Sequence, residues 1–541
     1  VNIVSNYFEI LKNEFKGYNK SKFSKDLVAG ITVAAVALPL ALAFGVGSGA
    51  DATAGLITAI IAGIVIGMLS GTSFQISGPT GAMMAILIPL VSKQGINTLF
   101  AATLLAGIIL VIAGIIKAGK FVQFIPLGVI TGFTSGISIV IALGQLSNLF
   151  GIKSSGDNVI SQTFSIFNNI SLINYSSLLI GLMVILVCIF WPKKIANYIP
   201  GSLVSIVLAT IVTSVFSLDI QLVGEIPQTI IHSTRLSLSD LTSINWEVIL
   251  LPSISIAALC MIESLLSGVA GSRMKNEKID ANQELISQGI GNIIIPFFGG
   301  VPATAAIART SVGIKVGAQT RLAGIIHAIV LILSIFLLAG LMSQIPLSGL
   351  AGVLIITAWR MNEWDTIKYL FSHKFKGAIS KFTITLVITV VFDLTIAIAV
   401  GIIFSVVLLL IKMTDIEINI ADVDSSRLNE NIETPKKTKV VYITGMLFFG
   451  VSDYLENELM SLEDNDNIIL SMRGVPQIDI SVAMSLLEFC KQAKKENKNI
   501  YFTSLQNNVK KTLARSGIYD VFDKEHFFSN AKDAIMYISK K

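Results

Sequence analysis

The sequence predicts a polytopic α-helical membrane protein, with fourteen transmembrane segments in a seven-plus-seven inverted repeat and a small cytoplasmic α/β domain after them. Composition, charge placement and an internal repeat each point that way. Of 541 residues, 53% are hydrophobic and 14% charged, and the mean hydropathy is +0.75, too apolar for an ordinary soluble enzyme. From Asp26 to about Met413 apolar runs of helical length recur, whereas the last hundred or so residues mix Lys, Glu and Asp with hydrophobic positions. Crossing a hydrocarbon layer of ~30 Å takes about 20 apolar residues as a helix, because the backbone must satisfy its own hydrogen bonds there.

The opening stretch, 1–25, is polar and carries Lys12, Lys16, Lys20, Lys22 and Lys25, which reads as a cytoplasmic lead-in and not as a cleaved signal peptide. Segments are expected near 26–50, 52–69, 78–91, 100–116, 121–143, 176–191 and 201–217, then 249–271, 286–295, 302–314, 320–341, 346–358, 380–392 and 394–412. This division gathers Lys117, Lys120, Lys193, Lys194, Arg273, Lys275, Lys278, Lys315, Arg321, Arg360 and the later lysines on the side of the N-terminus. Lys93, Lys153 and Arg235 fall on the other. The positive-inside rule then places both ends in the cytoplasm.

The third and tenth segments are too short to cross as simple helices. They begin at "ISGPTGAMMA" and "GGVPATAAIA", and Pro79 and Pro302 stand where a half-helix would start, since proline lacks the N–H that a first turn leaves unpaired. "LAGII" at 105–109 recurs at 322–326, and "IPL" at 125–127 recurs at 345–347. With the two prolines these give nearly constant offsets of 217, 220 and 223 residues. Two halves of seven segments must lie upside down relative to one another, the arrangement of many secondary transporters.

Two opposed half-helix N-termini present unpaired N–H groups and the positive ends of two dipoles, which suits an anion. Ser77, Gly78, Thr80 and Gly81 lie beside the first; Ala303, Thr304, Ala305, Ala306 and Ala308 lie beside the second. Small side chains admit an oxyanion to the backbone, and the hydroxyls add donors; close helix packing uses the same residue types. Arg309 stands in an otherwise uncharged segment, at a cost of at least ~2.5 kcal/mol unless paired, hydrated or reaching an interface. It either attracts the anion, holds a carboxylate or snorkels. Glu263, in "LCMIESLLSG", is suited to carrying a proton, or to a structural salt bridge with Arg309. Ser264 and Ser267 on nearby turns would complete a polar pocket or a cation site. Asn282, Gln283, Glu284 and Gln288 are expected to lock helices, and His327 and Asp393 to be structural. Phe44 offers the pocket an apolar wall.

Cys188, Cys260 and Cys490 have no paired spacing, so no disulfide framework or zinc site is suggested. The net charge of +5 calls for no nucleic-acid partner. After a linker over 413–436, strands are expected at 439–449, 467–472 and 499–505, with helices at 481–496, 507–517 and 529–539. No glycine-rich phosphate loop or acid–base pair appears, so neither an enzyme nor an ATP-driven pump is indicated, and gradients must drive any transport.

The sequence resembles the SulP family of sulfate permeases and solute-carrier-26 anion transporters. The resemblance rests on "GPTGAMM" at 78–84, "ESLLS" at 263–267 and the long stretch "NQELISQGIGNIIIPFFGGVPATAAIARTSVGIKVGAQTRLAGIIHA" at 282–328. It implies a mobile core of segments 1–4 and 8–11 against a gate of 5–7 and 12–14, an elevator mechanism, and usually a homodimer. The anion is implied to sit between the starts of segments three and ten. Sodium-dependent bicarbonate members carry aspartate where Glu263 stands, so glutamate points to proton-coupled carriers of sulfate or dicarboxylates, with Na+ as the alternative to H+. Leu40 in "PLALAF" at 39–44 departs from the "PQ" of many sulfate carriers. The end of the chain, 437–541, resembles the STAS domain, which implies a docking or regulatory role toward a cytoplasmic protein. Asp479 and Ser481 stand where antagonist-type STAS domains carry a phosphorylatable turn, but Val482 replaces its glycine. The expectation is a prokaryotic plasma-membrane transporter of a small oxyanion, without cofactors. An uncoupled channel or facilitator and a non-transporting scaffold are the competing classes.

Overall fold

The structure is a computed structural model that describes residues 3–120, 126–156, 159–192, 195, 199–242, 244–392, 394–414, 416–423, 437–462 and 464–540. Asp393, Lys193 and Lys194 lie outside the described residues. The chain divides into two compact units, 1–402 and 403–541.

The first unit is helical. A short helix α1 (Ile3–Glu14) precedes α2 (Lys20–Gly47), whose start is capped by the Asn19 side chain accepting from the Lys22 amide. Asp51 caps α3 (Ala52–Ile61) by accepting from the Ala54 N–H. That helix continues through a π-helical turn, Ala62–Ile66, to Leu69. Then come α4 (Gly81–Gln94), α5 (Ile96–Ile115), α6 (Leu127–Gly144), α7 (Tyr175–Phe190) and α8 (Gly201–Val215). After a long loop follow α9 (Trp246–Lys275), α10 (Ala281–Phe298), α11 (Ile307–Val316), α12 (Leu322–Met342), α13 (Leu347–Met361) and α14 (Lys376–Val391), and α15 (Leu394–Met413) runs across the division at 402. Among the described residues, six helical stretches are long and apolar enough to cross a membrane: α2, α3 with its continuation to Leu69, α5, Leu127–Phe150, α9 and α12. Exposed Leu333, Leu337 and Leu341 at spacings of four on α12 fit contact with hydrocarbon.

Small residues set the closest helix contacts. Gly107 on α5 and Gly289 on α10 leave no room for a methyl group, since a Cβ on either would lie 2.7 or 2.6 Å from the other's carbonyl oxygen. This is the small-residue packing that lets membrane helices approach without a hydrophobic drive.

The half-helices do not begin at their prolines. Two-residue strands intervene, β1 (Ser77–Gly78) and β2 (Thr304–Ala305), paired antiparallel with Ser77 opposite Ala305 and Gly78 opposite Thr304. The extended backbone this pairing requires delays α4 to Gly81 and α11 to Ile307.

The second unit carries a five-stranded sheet in sequential order: β3 (Glu417–Asp422), β4 (Thr438–Thr444), β5 (Asn467–Gly474), β6 (Asn499–Thr503) and β7 (Phe527–Phe528). β3 is antiparallel to β4 and the remaining pairs are parallel. β3 falls inside the stretch expected to be linker, 413–436. Ile418 and Ile420 alternate with polar neighbours and pack on the domain core, which brings this part of the connector into the sheet. Helices α16 (Ser452–Met460), α17 (Ile480–Lys495), α18 (Asn507–Ser516) and α19 (Ala531–Lys540) accompany the sheet.

Candidate functional site

The paired strands bring the starts of α4 and α11 together, and neither helix is capped by its own side chains. The N-cap of α4 is Thr80 and that of α11 is Ala306, both extended, with no side-chain bond to the first-turn amides. The Thr80 hydroxyl donates instead to Glu263 Oε2 at 2.8 Å. Among the described residues, the first-turn N–H groups of α4 and α11 therefore lie near one another without a side-chain cap.

Arg309 lies under this junction and is 1% exposed. Its Nη2 donates to the Pro79 carbonyl at 2.7 Å, while Nη1 has no partner among the described residues. A Cβ on Gly78 would stand 2.3 Å from Nη1, so glycine at this position makes room for the guanidinium. Sequence reasoning gave Gly78 to the anion. Its contact across more than two hundred residues leaves no local pattern. No ion pair within 4.0 Å joins Arg309 to Glu263 among the described residues, so neither charge is neutralised by contact with the other.

The remaining expected residues divide by what their polar atoms meet. Thr304 Oγ1 and Ser264 Oγ share a hydrogen bond at 2.8 Å, and the Ala305 N–H donates to Ser264 Oγ at 3.2 Å, so α9 holds β2. Ser267 Oγ is buried without a hydrogen-bond partner among the described residues. Ser77 Oγ accepts from Gln288 Nε2 at 2.8 Å. Phe44, 4% exposed, abuts Gly81, where a Cβ would meet its ring carbon at 3.1 Å. Ala303 is buried, Ala306 half-buried and Ala308 exposed, so the first turn of α11 is accessible from one side.

One face of α10 carries Glu284, Gln288 and Asn292 at intervals of four, all at most 1% exposed. Asn292 holds Ala303 twice, accepting its N–H at 2.8 Å and donating to its carbonyl at 2.9 Å. Gln288 Nε2 also donates to Glu284 Oε1, whose other oxygen accepts from Ser70 Oγ and the Gly71 N–H. These groups lock the two strands and the turn after α3, and Asn292 was the one the sequence reading passed over. Its signal was available: a third polar residue at helical spacing in an apolar run. Ile141, packed against Gly81 beside Phe44, gave no such signal. His327 is buried with Nδ1 3.2 Å from the Gly324 carbonyl and lies against Gly63 in the π-turn.

In the second unit Asp479 caps α17, accepting from the Val482 N–H at 2.9 Å and the Phe449 N–H at 2.7 Å. Ser481 is exposed in the first turn of that helix. The described residues hold no group of three or more His, Cys, Asp or Glu able to bind a metal ion.

The model of the sulfate permease family matches residues 23–388 and that of the STAS domain matches 429–534. A putative sulfate transporter of Bacillus subtilis, YvdB, is 35% identical over 95% of this chain and 98% of its own length. The bicarbonate transporter BicA of a Picosynechococcus strain is 29% identical, covering 91% of both chains. Among solved structures, the transmembrane domain of a cyanobacterial BicA superposes with a TM-score of 0.66 at 32% identity, covering 71% of this chain and 98% of that one. The murine Solute Carrier 26 family member A9, in the inward-facing state, shares the fold with a TM-score of 0.86 at 18% identity, covering 99% of this chain and 95% of that one.

Proposed function

The chain belongs to the sulfate permease family and ends in a STAS domain, and from that premise we propose that it is a proton-coupled secondary transporter of a small oxyanion. Sulfate, bicarbonate and dicarboxylates are the candidate substrates. The observation that carries this reading is Arg309: a buried guanidinium with one hydrogen-bonded and one unpartnered nitrogen, set between two uncapped helix starts. Backbone N–H groups of Gly81 and of Ile307 and Ala308 bind the anion, while the Ala306 N–H is held by the Ile76 carbonyl; Arg309 supplies long-range attraction, Phe44 one wall, and Ser77, Gly78, Thr80, Ala303, Thr304, Ala305 and Ala306 shape the approach. Glu263 carries the coupling proton. Its bond to Thr80 Oγ1 connects protonation to the start of α4, because a protonated carboxyl no longer accepts there as a charge.

The molecule works as an elevator of fourteen segments in two inverted halves of seven, with segments 1–4 and 8–11 moving as the core against 5–7 and 12–14. The antiparallel β1–β2 pair supports this by tying the two half-helices into one body. The protein is a homodimer in a prokaryotic plasma membrane with both termini cytoplasmic, the transport domain spans 26–412, and the STAS domain, 437–541, docks a cytoplasmic protein. Ser481 is accessible for modification there.

A sodium-coupled bicarbonate carrier is the second reading. It is favoured by the relatives named bicarbonate transporters and by Ser267, one turn from Glu263, whose hydroxyl has no hydrogen-bond partner among the described residues and can ligate a cation. Uptake of labelled sulfate, bicarbonate and fumarate into liposomes under imposed proton or sodium gradients decides between them. Proton-driven uptake abolished by Glu263→Gln supports the first reading. Sodium-driven uptake supports the second, and gradient-independent flux unchanged by the substitution overturns both in favour of a facilitator.

A further inference from the structure

The segment before the first membrane helix is strapped onto the core. Glu14 grips Arg321 through Nε at 2.8 Å, Nη2 at 2.7 Å and the backbone N–H at 2.7 Å, with both side chains 4% exposed. Asp26, fully buried, accepts from the N–H groups of Gln319 and Thr320, the Thr320 hydroxyl and the Tyr18 hydroxyl. Three successive amides at the start of α12 are thus received by carboxylates, two by Asp26 near the start of α2 and one by Glu14 in the segment before it, where the helix dipole favours negative charge. Tyr7 adds a bond to the Met68 carbonyl, and the Arg321 guanidinium stands 5.7 Å from its ring.

With one side fixed inward, the opposite side has a defined direction. Phe8, Lys12 and Lys16, at intervals of four on and just past α1, are exposed, Phe8 by 62%. Lys20, Phe23 and Lys25 continue the exposed face into Leu27, Val28 and Ile31, the outward apolar positions of α2. None of these four lysines has a carboxylate within 4.0 Å among the described residues. The row is basic and aromatic, and it joins the surface that meets hydrocarbon, a combination suited to a charged membrane surface.

We propose that this face binds the headgroups of anionic phospholipids, with Phe8 and Phe23 in the interface, so that the core carries its own lipid-binding strap. It rests on the transport reading only for its cytoplasmic placement. The test uses the full-length protein with Asn13→Cys, an exposed site beside the lysines, labelled with an environment-sensitive fluorophore; the native cysteines are buried. The labelled protein is reconstituted in phosphatidylcholine vesicles with and without phosphatidylglycerol. The expected result is a blue shift only with phosphatidylglycerol, reversed by about 1 M salt, which shortens screening to ~3 Å. The variant Lys12→Gln/Lys16→Gln/Lys20→Gln/Lys25→Gln should lose the shift, each lysine counting for roughly fivefold in partitioning. Equal emission in both lipids, or a shift kept by the fourfold variant, overturns the proposal. Uptake measured on the same vesicles separates the two readings: a lipid-dependent shift without any transport leaves the strap standing and removes the carrier.

Discussion

Replacing Gly78 by alanine tests the junction most directly. The added Cβ would stand 2.3 Å from Arg309 Nη1 and 3.1 Å from its Cζ, against an optimal separation of about 3.5 Å. The guanidinium is the far end of a flexible side chain, so it retreats by roughly 1 Å and β1 keeps its place. Such a shift takes Nη2 beyond hydrogen-bond range of the Pro79 carbonyl, now 2.7 Å away. A hydrogen bond to a charged group contributes about 1.5–3 kcal/mol. If that energy holds Arg309 where the anion needs it, the anion's KM rises about ten- to 150-fold. Liposome uptake over a range of anion concentrations, with thermal unfolding of the purified protein alongside, reads both quantities. A folded Gly78→Ala protein whose KM stays within about twofold of the original would refute the claim that Arg309 acts from this position.

Outside the membrane segments, His232 Nε2 meets Asp51 Oδ2 at 2.7 Å. The Asp51 hydrogen bond raises the histidine's pKa above 6.5; for Asp51, burial pushes upward, but His232 and the Ala54 amide outweigh it and hold the carboxyl below 3.8. The histidine's contribution is complete below 6.5 and is lost as pH rises through its folded value, while the aspartate's is lost only as pH falls below 3.8. Amide exchange over 230–238, corrected for intrinsic rate, should therefore become less protected from pH 6 to 8, and His232→Gln should flatten that trend. Gln288→Leu leaves Glu284 and Ser77 short of a donor and should destabilise the protein by about 1–3 kcal/mol, seen as a lower unfolding temperature; an unchanged temperature would mean water replaces the amide. Asp479→Ala removes the cap of α17 and should cost about 1 kcal/mol, read from urea unfolding followed by a STAS-domain probe. Glu14→Ala leaves Arg321 buried without its carboxylate, and a loss of about 3–5 kcal/mol is expected. Thermal unfolding within 1 °C of the original would show that the N-terminal strap is not docked.

Intramembrane charge was the most legible feature of the site, because Glu263 and Arg309 interrupt apolar runs at a cost that local sequence reveals. Pro79 and Pro302 likewise marked the short helices. The two-residue strands beside them are too short to show a period, and Gly78 reads as a glycine near a ligand until the fold puts Arg309 beneath it. In the connector, the Ile418 and Ile420 alternation was present but outweighed by its polar surroundings. What sequence could not separate is which buried charges serve the fold and which remain open. The structure separates them by saturation. Asp26 receives four donors, Glu284 three, and Glu14 closes on Arg321 with two hydrogen bonds and an ion-pair contact. Among the described residues Glu263 has one donor and Arg309 one acceptor. A charge already held by several partners gains little from a passing ion, because most of its lone pairs or protons are in use. An unsaturated one has bonding capacity to offer, and in a low-dielectric interior that capacity is costly to leave empty. The two open charges are also the ones on either side of the helix starts, so substitutions at the saturated groups should lower stability first, and substitutions at Glu263 and Arg309 should lower transport first.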